Sequence, residues 1–341
     1  MSKKYLVLKG HCGLGDRLHA LLSAIEYAQK TNRVLYIDWT DSLYDQSKRN
    51  IFNDYFYLKN IPHTTDPQEI ISSAKSFYPK LWQNVSFHTA LNEMYVYATP
   101  VNITKIRGIY WLERKFGGRL GRLLRYWKYI GSNNKEFKKT DRSAIKSVFS
   151  SKDMSMGCYL GESHKEDVVI FADSVPPIKV KSIHDYLSLD PSIEDTINSF
   201  ACLHNISDKT IGVHIRNTDL TPNKDINLFV ERLKQFMSDN RYENVFLATD
   251  SIEVELLFEK EISNIIRYPK ELIQNNTQGL HNLKSNRIEN NKLTTLLAES
   301  IIDLWLLSKC NFLFYQGNSS FSIFAQKLKE DESHSIDWLK W

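Results

Sequence analysis

Two residues carry the chemistry that is easiest to read. His214 and Arg216 close the run Thr210-Ile211-Gly212-Val213-His214-Ile215-Arg216, which predicts a strand. Alternation along a strand puts both side chains on the same side of its end. A planar guanidinium at the carboxyl end of a parallel strand faces the crevice where α/β proteins hold ligands, and its fork suits a pair of phosphate oxygens. A surface ion pair with Asp219 is the competing explanation. Thr249 and Asp250 end the next strand, either at the same crevice or as caps for the helix that follows. Asp303 lies inside the apolar helix run Ile301-Ile302-Asp303-Leu304-Trp305. Facing a cleft, it would accept hydrogen bonds from a base or a ribose; on a solvated edge it would do neither. Gln316-Gly317-Asn318-Ser319-Ser320 follows the last apolar strand and opens a helix, which makes either a cap or a phosphate-binding terminus.

The glycines near the start form a second candidate. Gly10, Gly13 and Gly15 lie between a strand and a helix, where backbone N–H groups approach phosphate. Their spacing, G-x-x-G-x-G, is neither the dinucleotide fingerprint nor a P-loop. Asp38, ending the second strand, imitates the acid that holds a ribose in dinucleotide enzymes and keeps an oxidoreductase in play. No D-x-D pattern occurs, and the four cysteines lack zinc spacing. No metal is therefore expected, and a phosphate site would rest on Arg and helix dipoles.

The elements that must position these residues alternate. Tyr5–Leu8, then a helix through Leu18, Leu21, Leu22, Ile25 and Ala28, then Val34–Ile37 predict a βαβ unit and a parallel sheet. Val168–Phe171 is a further strand. After residue 190 the order is strand 210–216, helix 227–238, strand 245–248, helix 251–261, a weak strand at 265–266, helix 294–309, strand 312–315 and helix 320–329. The chain has 341 residues, which exceeds one ordinary core. The expectation is α/β architecture in two facing domains, residues 1–190 and 191–341.

Net charge is +4, but residues 105–152 hold fourteen Lys and Arg against three acids. A local anionic contact fits this better than nucleic acid, which is not expected as a partner. Within residues 113–129, Arg119, Arg122 and Arg125 border Leu120, Leu123, Leu124 and Trp127 at helical spacing. That pattern suits a packed amphipathic helix or a contact with an anionic membrane or lipid-linked acceptor. No apolar run approaches the ~18 residues of a membrane span. The opening MSKKYLVLKG lacks a signal-peptide core. The expected location is cytoplasmic, with peripheral contact at the inner face of the membrane through the basic segment.

Taken together, the motifs resemble a known superfamily. Gly13-Leu14-Gly15-Asp16-Arg17-Leu18 and Leu35-Tyr36-Ile37-Asp38-Trp39 resemble the opening of the bacterial nodulation fucosyltransferases. Gly212-Val213-His214-Ile215-Arg216 resembles the H-x-R motif they share with α1,6- and protein O-fucosyltransferases. Gly279-Leu280-His281-Asn282, Ile302-Asp303 and Ser319-Ser320 resemble the donor-binding end of the α1,6 enzymes. The resemblance implies a GT-B fold of two Rossmann-like domains, the N-terminal one on the acceptor side and the C-terminal one on the donor side. It implies GDP-fucose as donor, a glycan acceptor, inversion and no metal or other cofactor. It assigns Arg216 to the β-phosphate, His214 and Asp303 to the nucleoside and Ser319 to phosphate. Gly13, Gly15, Asp16, Arg17, Asp250, His281 and Ser320 complete the expected donor site. The α1,6 enzymes carry Lys and Glu soon after H-x-R, where Leu220 and Lys224 stand here, so Asp219 and Asp225 are the candidate bases. A GT-B transferase of another nucleotide sugar and a non-catalytic nucleotide-binding module are the remaining alternatives.

Overall fold

The computed structural model describes residues 3–10, 12–41, 43–78, 82–83, 86–88, 164–171, 182–220, 222, 224–272, 289–329 and 331–341. The basic segment 113–129 and His281 lie outside them, so the expectations placed on those residues meet no structure.

The first sheet is parallel, in the order β2-β1-β5-β4. It comprises β1 (Tyr5–Lys9), β2 (Val34–Asp38), β4 (Phe77–Tyr78) and β5 (Val168–Phe171). β1 is buried along its whole length, as a continuous apolar strand covered on both faces must be. Helix α1 (Leu14–Thr31) joins β1 to β2 and ends on Asn32 in the left-handed conformation, φ 52°. β3 (Phe56–Leu58) pairs antiparallel with β6 (Leu187–Leu189), apart from this sheet. The short helix α2 (Pro67–Ser73) is capped by Asp66.

The second sheet is also parallel, ordered β11-β10-β7-β8-β9. Its strands are β7 (Thr210–Ile215), β8 (Asn244–Thr249), β9 (Ile265–Ile266), β10 (Phe312–Tyr315) and β11 (Ser335–Asp337). The chain enters it through α3 (Pro191–Leu203). Helices α4 (Ile226–Asn240) and α5 (Ile252–Glu261) follow β7 and β8 and cover one face. Helices α6 (Asn290–Lys309) and α7 (Ser320–Lys329) flank β10 in sequence. The strand order reverses at β7: the chain runs to β8 on one side and later returns to β10 on the other. The carboxyl end of β7, carrying His214 and Arg216, is therefore the switch point where a crevice opens.

Most of the expected elements are present. α6 starts four residues ahead of the expected 294, and β3, α2, β4, β6, α3 and β11 were not expected. α3 has a clear start signal in Asp190, whose side chain accepts from the Ser192 N–H, followed by Pro191. Its apolar stripe is thin, with only Ile197 buried.

One hydrophobic core runs across both sheets. Leu18, Leu21 and Ile25 of α1 share it with Leu297, Ile301 and Leu304 of α6 and with Phe324 and Leu328 of α7. The two halves are thus joined through helix faces, and the first turns of α1 and α7 meet at the crevice.

Candidate functional site

A cleft opens at the carboxyl ends of β7 and β8. One wall is the first turn of α1, Gly13 to Asp16, with Tyr44. The opposite wall is His214, Arg216 and Thr218 after β7 and Thr249 and Asp250 at the end of β8. Lys270 to Leu272 line a third side, with Leu296, Glu299, Ser300 and Asp303 of α6. Ser320 and Phe321 close the space at the start of α7. The positive ends of two helices therefore converge on the cavity, with their first-turn N–H groups unpaired within the helix.

Arg216 is held firmly. Its Nε and Nη2 donate to the two carboxylate oxygens of Asp219, both at 2.8 Å. Its backbone N–H donates to Gln316 Oε1 at 2.8 Å. Gln316 is fully buried and donates through Nε2 to Leu220 O at 3.3 Å and Asn318 Oδ1 at 2.9 Å. This network ties the end of β7 to the end of β10. Asp250 accepts from the Asn217 N–H at 2.8 Å and from Thr218 Oγ1 at 2.6 Å, so it fixes the same loop from β8. A guanidinium whose Nε edge is occupied presents Nη1 and the remaining Nη2 proton to a ligand.

The base of the cleft holds polar atoms without protein partners. Among the described residues, His214 Nδ1, Asp303 Oδ1 and Ser319 Oγ are buried and make no hydrogen bond. The second oxygen of Asp303 pairs with Lys270. Buried polar atoms are normally satisfied, and two of these orphans, on His214 and Asp303, line the cleft, where a ligand could satisfy them. Burial, reinforced by Lys270 and Arg216, pushes the His214 imidazole down to about 3, which keeps it neutral. The ring packs against Phe321, centroids 4.9 Å apart. Burial raises the carboxyl of Asp303 above the usual range, and Lys270 opposes that. Glu299, one turn earlier, is raised by burial too.

The expected residues are thus distributed unevenly. Gly13, Gly15, Asp16, His214, Arg216, Asp250, Asp303 and Ser320 line the cleft, and Ser319 lies buried at the start of α7 beside it. Asp219 acts on the cleft through Arg216. Asp225 stands at the N-cap of α4, accepting from the Asn227 N–H at 2.9 Å. Arg17 turns inward, with Nη1 and Nη2 on Asp41 at 3.0 and 2.5 Å and Nε on Cys12 O at 3.1 Å. It braces the glycine loop from behind. Asp38 is buried against Lys9 at 2.6 Å and does not reach the cleft, so the ribose-holding role considered for it has no support in the geometry. Lys270, Glu299 and Gln316 were not anticipated. Glu299 and Asp303 are four apart on one helix, and that spacing was the available signal.

No protein-family model matches the chain. Nodulation protein Z of Sinorhizobium fredii is 33% identical over 88 residues, which make up 24% of this chain and 27% of that protein. The fucosyltransferase NodZ from Bradyrhizobium matches with a TM-score of 0.56 at 18% identity, over 96% of this chain and 93% of that one. The NodZ α1,6-fucosyltransferase soaked with GDP-fucose matches with a TM-score of 0.56 at 19% identity, over 96% and 92%. The chain has the fold of the NodZ fucosyltransferases. That is the GT-B arrangement of two facing α/β domains expected from the motifs, and in this NodZ-like fold the cleft lies between the domains. Among the described residues, no helix is long and apolar enough to cross a membrane.

Proposed function

We propose that the chain is a fucosyltransferase that takes fucose from GDP-fucose to a hydroxyl of a glycan acceptor, without a metal ion and with inversion at the anomeric carbon. The observation that carries this is the cleft floor, where Arg216 stands beside the orphan atoms of His214 and Asp303 and faces two helix N-termini. The NodZ proteins of the same fold, one of them soaked with GDP-fucose, favour this donor.

In this reading the nucleoside lies against His214 and Asp303, and the diphosphate lies between Arg216 and the first turns of α1 and α7. The acceptor hydroxyl attacks the anomeric carbon through an oxocarbenium-like state as the bond to the β-phosphate oxygen breaks. Negative charge grows on the departing diphosphate. Arg216, fixed by Asp219 before the substrate arrives, and the two helix ends are set to receive it, with little reorganisation at the moment of reaction. A carboxylate at the cleft takes the acceptor proton. The N-terminal domain supplies the acceptor side.

Calorimetry with GDP, UDP, CMP and NADH tests the donor class, with GDP expected to bind equally in the presence and absence of a chelator. Release of GDP from GDP-fucose and the anomeric configuration of the product test the chemistry. Strict dependence on manganese, or a preference for UDP, would overturn the reading. Contact of residues 113–129 with anionic lipid is part of the same proposal, checked by salt-sensitive co-sedimentation with vesicles.

A further inference from the structure

A nucleotide cleft must also tell one nucleobase from another. Asp303 is 3% exposed, and its carboxylate is split between two tasks. Oδ2 is taken by Lys270 and Oδ1 has no partner among the described residues. Glu299 precedes Asp303 by one helical turn and lines the same cavity. Lys270 is close enough to act electrostatically on both acids. The side of the cleft at α6 therefore offers one donor, the ammonium of Lys270, and two acceptors, the carboxylates of Asp303 and Glu299.

Resting on the donor reading above, we propose that Lys270, Asp303 and Glu299 together read the hydrogen-bonding edge of guanine, and that Glu299 recognises its exocyclic amine. Guanine presents an acceptor at O6, a donor at N1 and a donor at N2. Lys270 meets O6, the orphan oxygen of Asp303 meets N1–H, and Glu299 meets the amine. Uracil matches the first two positions, with O4 and N3–H, but turns its O2 carbonyl toward Glu299. Two acceptors then face each other in a partly dry site, a repulsive element against the wrong base. Cytosine reverses the first two positions and fails at Lys270. Burial, which weakens solvent competition, makes each match count for more than it would in water. The ion pair also explains how a carboxylate survives in a nearly dry pocket until the nucleotide arrives, since Lys270 compensates it.

Inosine diphosphate isolates the claim, because it is GDP without the 2-amino group. Calorimetry on the full chain compares GDP, inosine diphosphate and UDP. A hydrogen bond to a charged group predicts a preference for GDP over inosine diphosphate of roughly ten- to a hundredfold. Glu299→Ala should collapse that ratio toward one, with an unchanged far-ultraviolet circular dichroism spectrum and melting transition reporting that the variant is folded. Glu299→Gln, with a neutral acceptor, should fall between. Lys270→Met should weaken both purine nucleotides together, since both carry O6. Equal binding of GDP and inosine diphosphate by the native protein overturns the proposal, as does an undiminished ratio in Glu299→Ala, and in either case the donor reading stands. Failure of the native protein to bind GDP while it binds UDP overturns the donor reading itself.

Discussion

The helical residue Gly15 lies directly against the backbone of Phe321. A Cβ at Gly15 would stand 2.6 Å from Phe321 Cα and 2.6 Å from the carbonyl carbon of Ser320. Two helix N-termini from opposite domains touch here with no side chain between them. His19, one turn along α1, supports the contact through Nε2 on Ser320 O at 3.1 Å, with its ring edge-on to Phe324. The positive ends of α1 and α7 can converge on one cavity only because this seam is so thin.

Gly15→Ala therefore tests the seam. In an unconstrained helix this exchange stabilises by up to about 1 kcal/mol through helix propensity. Here the obstruction is backbone, which cannot rotate aside, and overpacking costs about 1–3 kcal/mol. The second effect is the larger, so a lower melting temperature and weaker GDP binding are expected. A variant that melts higher and keeps its GDP affinity would show that the domains do not rely on this contact.

Arg216 and Asp219 separate orientation from base catalysis. Arg216→Ala should cost about 3–4 kcal/mol of transition-state stabilisation, as loss of an oxyanion donor does. Arg216→Lys should rescue poorly because a point charge does not reproduce the fork. Asp219→Asn should weaken GDP binding as well as turnover, since it loosens the guanidinium. Loss of turnover with GDP affinity intact would instead favour Asp219 as the base. Asp225→Asn should preserve both activity and stability, because Asn caps a helix as well as Asp.

The fold was largely legible because its strands are short apolar runs broken by polar turns, as in Val34–Asp38 and Asn244–Thr249. The site was legible where chemistry falls on strand ends, as at His214 and Arg216. It was not legible where function depends on what a side chain meets across the fold. Arg17 and Asp16 are neighbours in one motif, yet Asp16 faces the cleft while Arg17 pairs with Asp41, twenty-four residues away. Lys270 follows a two-residue strand in a polar stretch, with no local pattern to mark it. Only the packing of α6 beside β8 makes it the partner of Asp303.

His214 makes stability depend on pH. Its imidazole is pushed down from 6.5 to about 3 in the folded protein by burial, then by Lys270 and Arg216. Between these values the unfolded chain takes up a proton that the folded protein refuses. Stability is therefore lost as pH falls through this window. Asp303 and Glu299 pull the other way, since burial raises both carboxyls and the folded protein binds their protons more readily. Urea unfolding of the native protein and His214→Asn across this range isolates the contribution. The variant should show a shallower loss of stability on acidification, by close to one proton. Identical slopes would mean that His214 is not held neutral by the fold.

A buried ion pair joins the ends of β1 and β2. Lys9 Nζ lies 2.6 Å from Asp38 Oδ2, with side chains 2% and 0% exposed. Lys9 also donates to Phe87 O at 2.7 Å, and Asp38 accepts from the Thr40 N–H at 3.1 Å. Burial disfavours the charge on Asp38, but Lys9 and its hydrogen-bond donors overcome this and hold the carboxyl below its ordinary range. The pair's contribution is accordingly present above the ordinary aspartate range and lost as acid protonates the folded carboxylate. Lys9→Met or Asp38→Asn alone strands a buried partner and should cost about 3–5 kcal/mol in urea unfolding, whereas replacing both with apolar residues of similar volume should recover most of it. NADH should fail to bind the native protein, because the carboxylate that would hold its ribose is already committed to Lys9. Single variants that cost less than about 1 kcal/mol would place the pair among weak surface contacts. NADH binding abolished by Asp38→Asn would return Asp38 to the ribose-holding role.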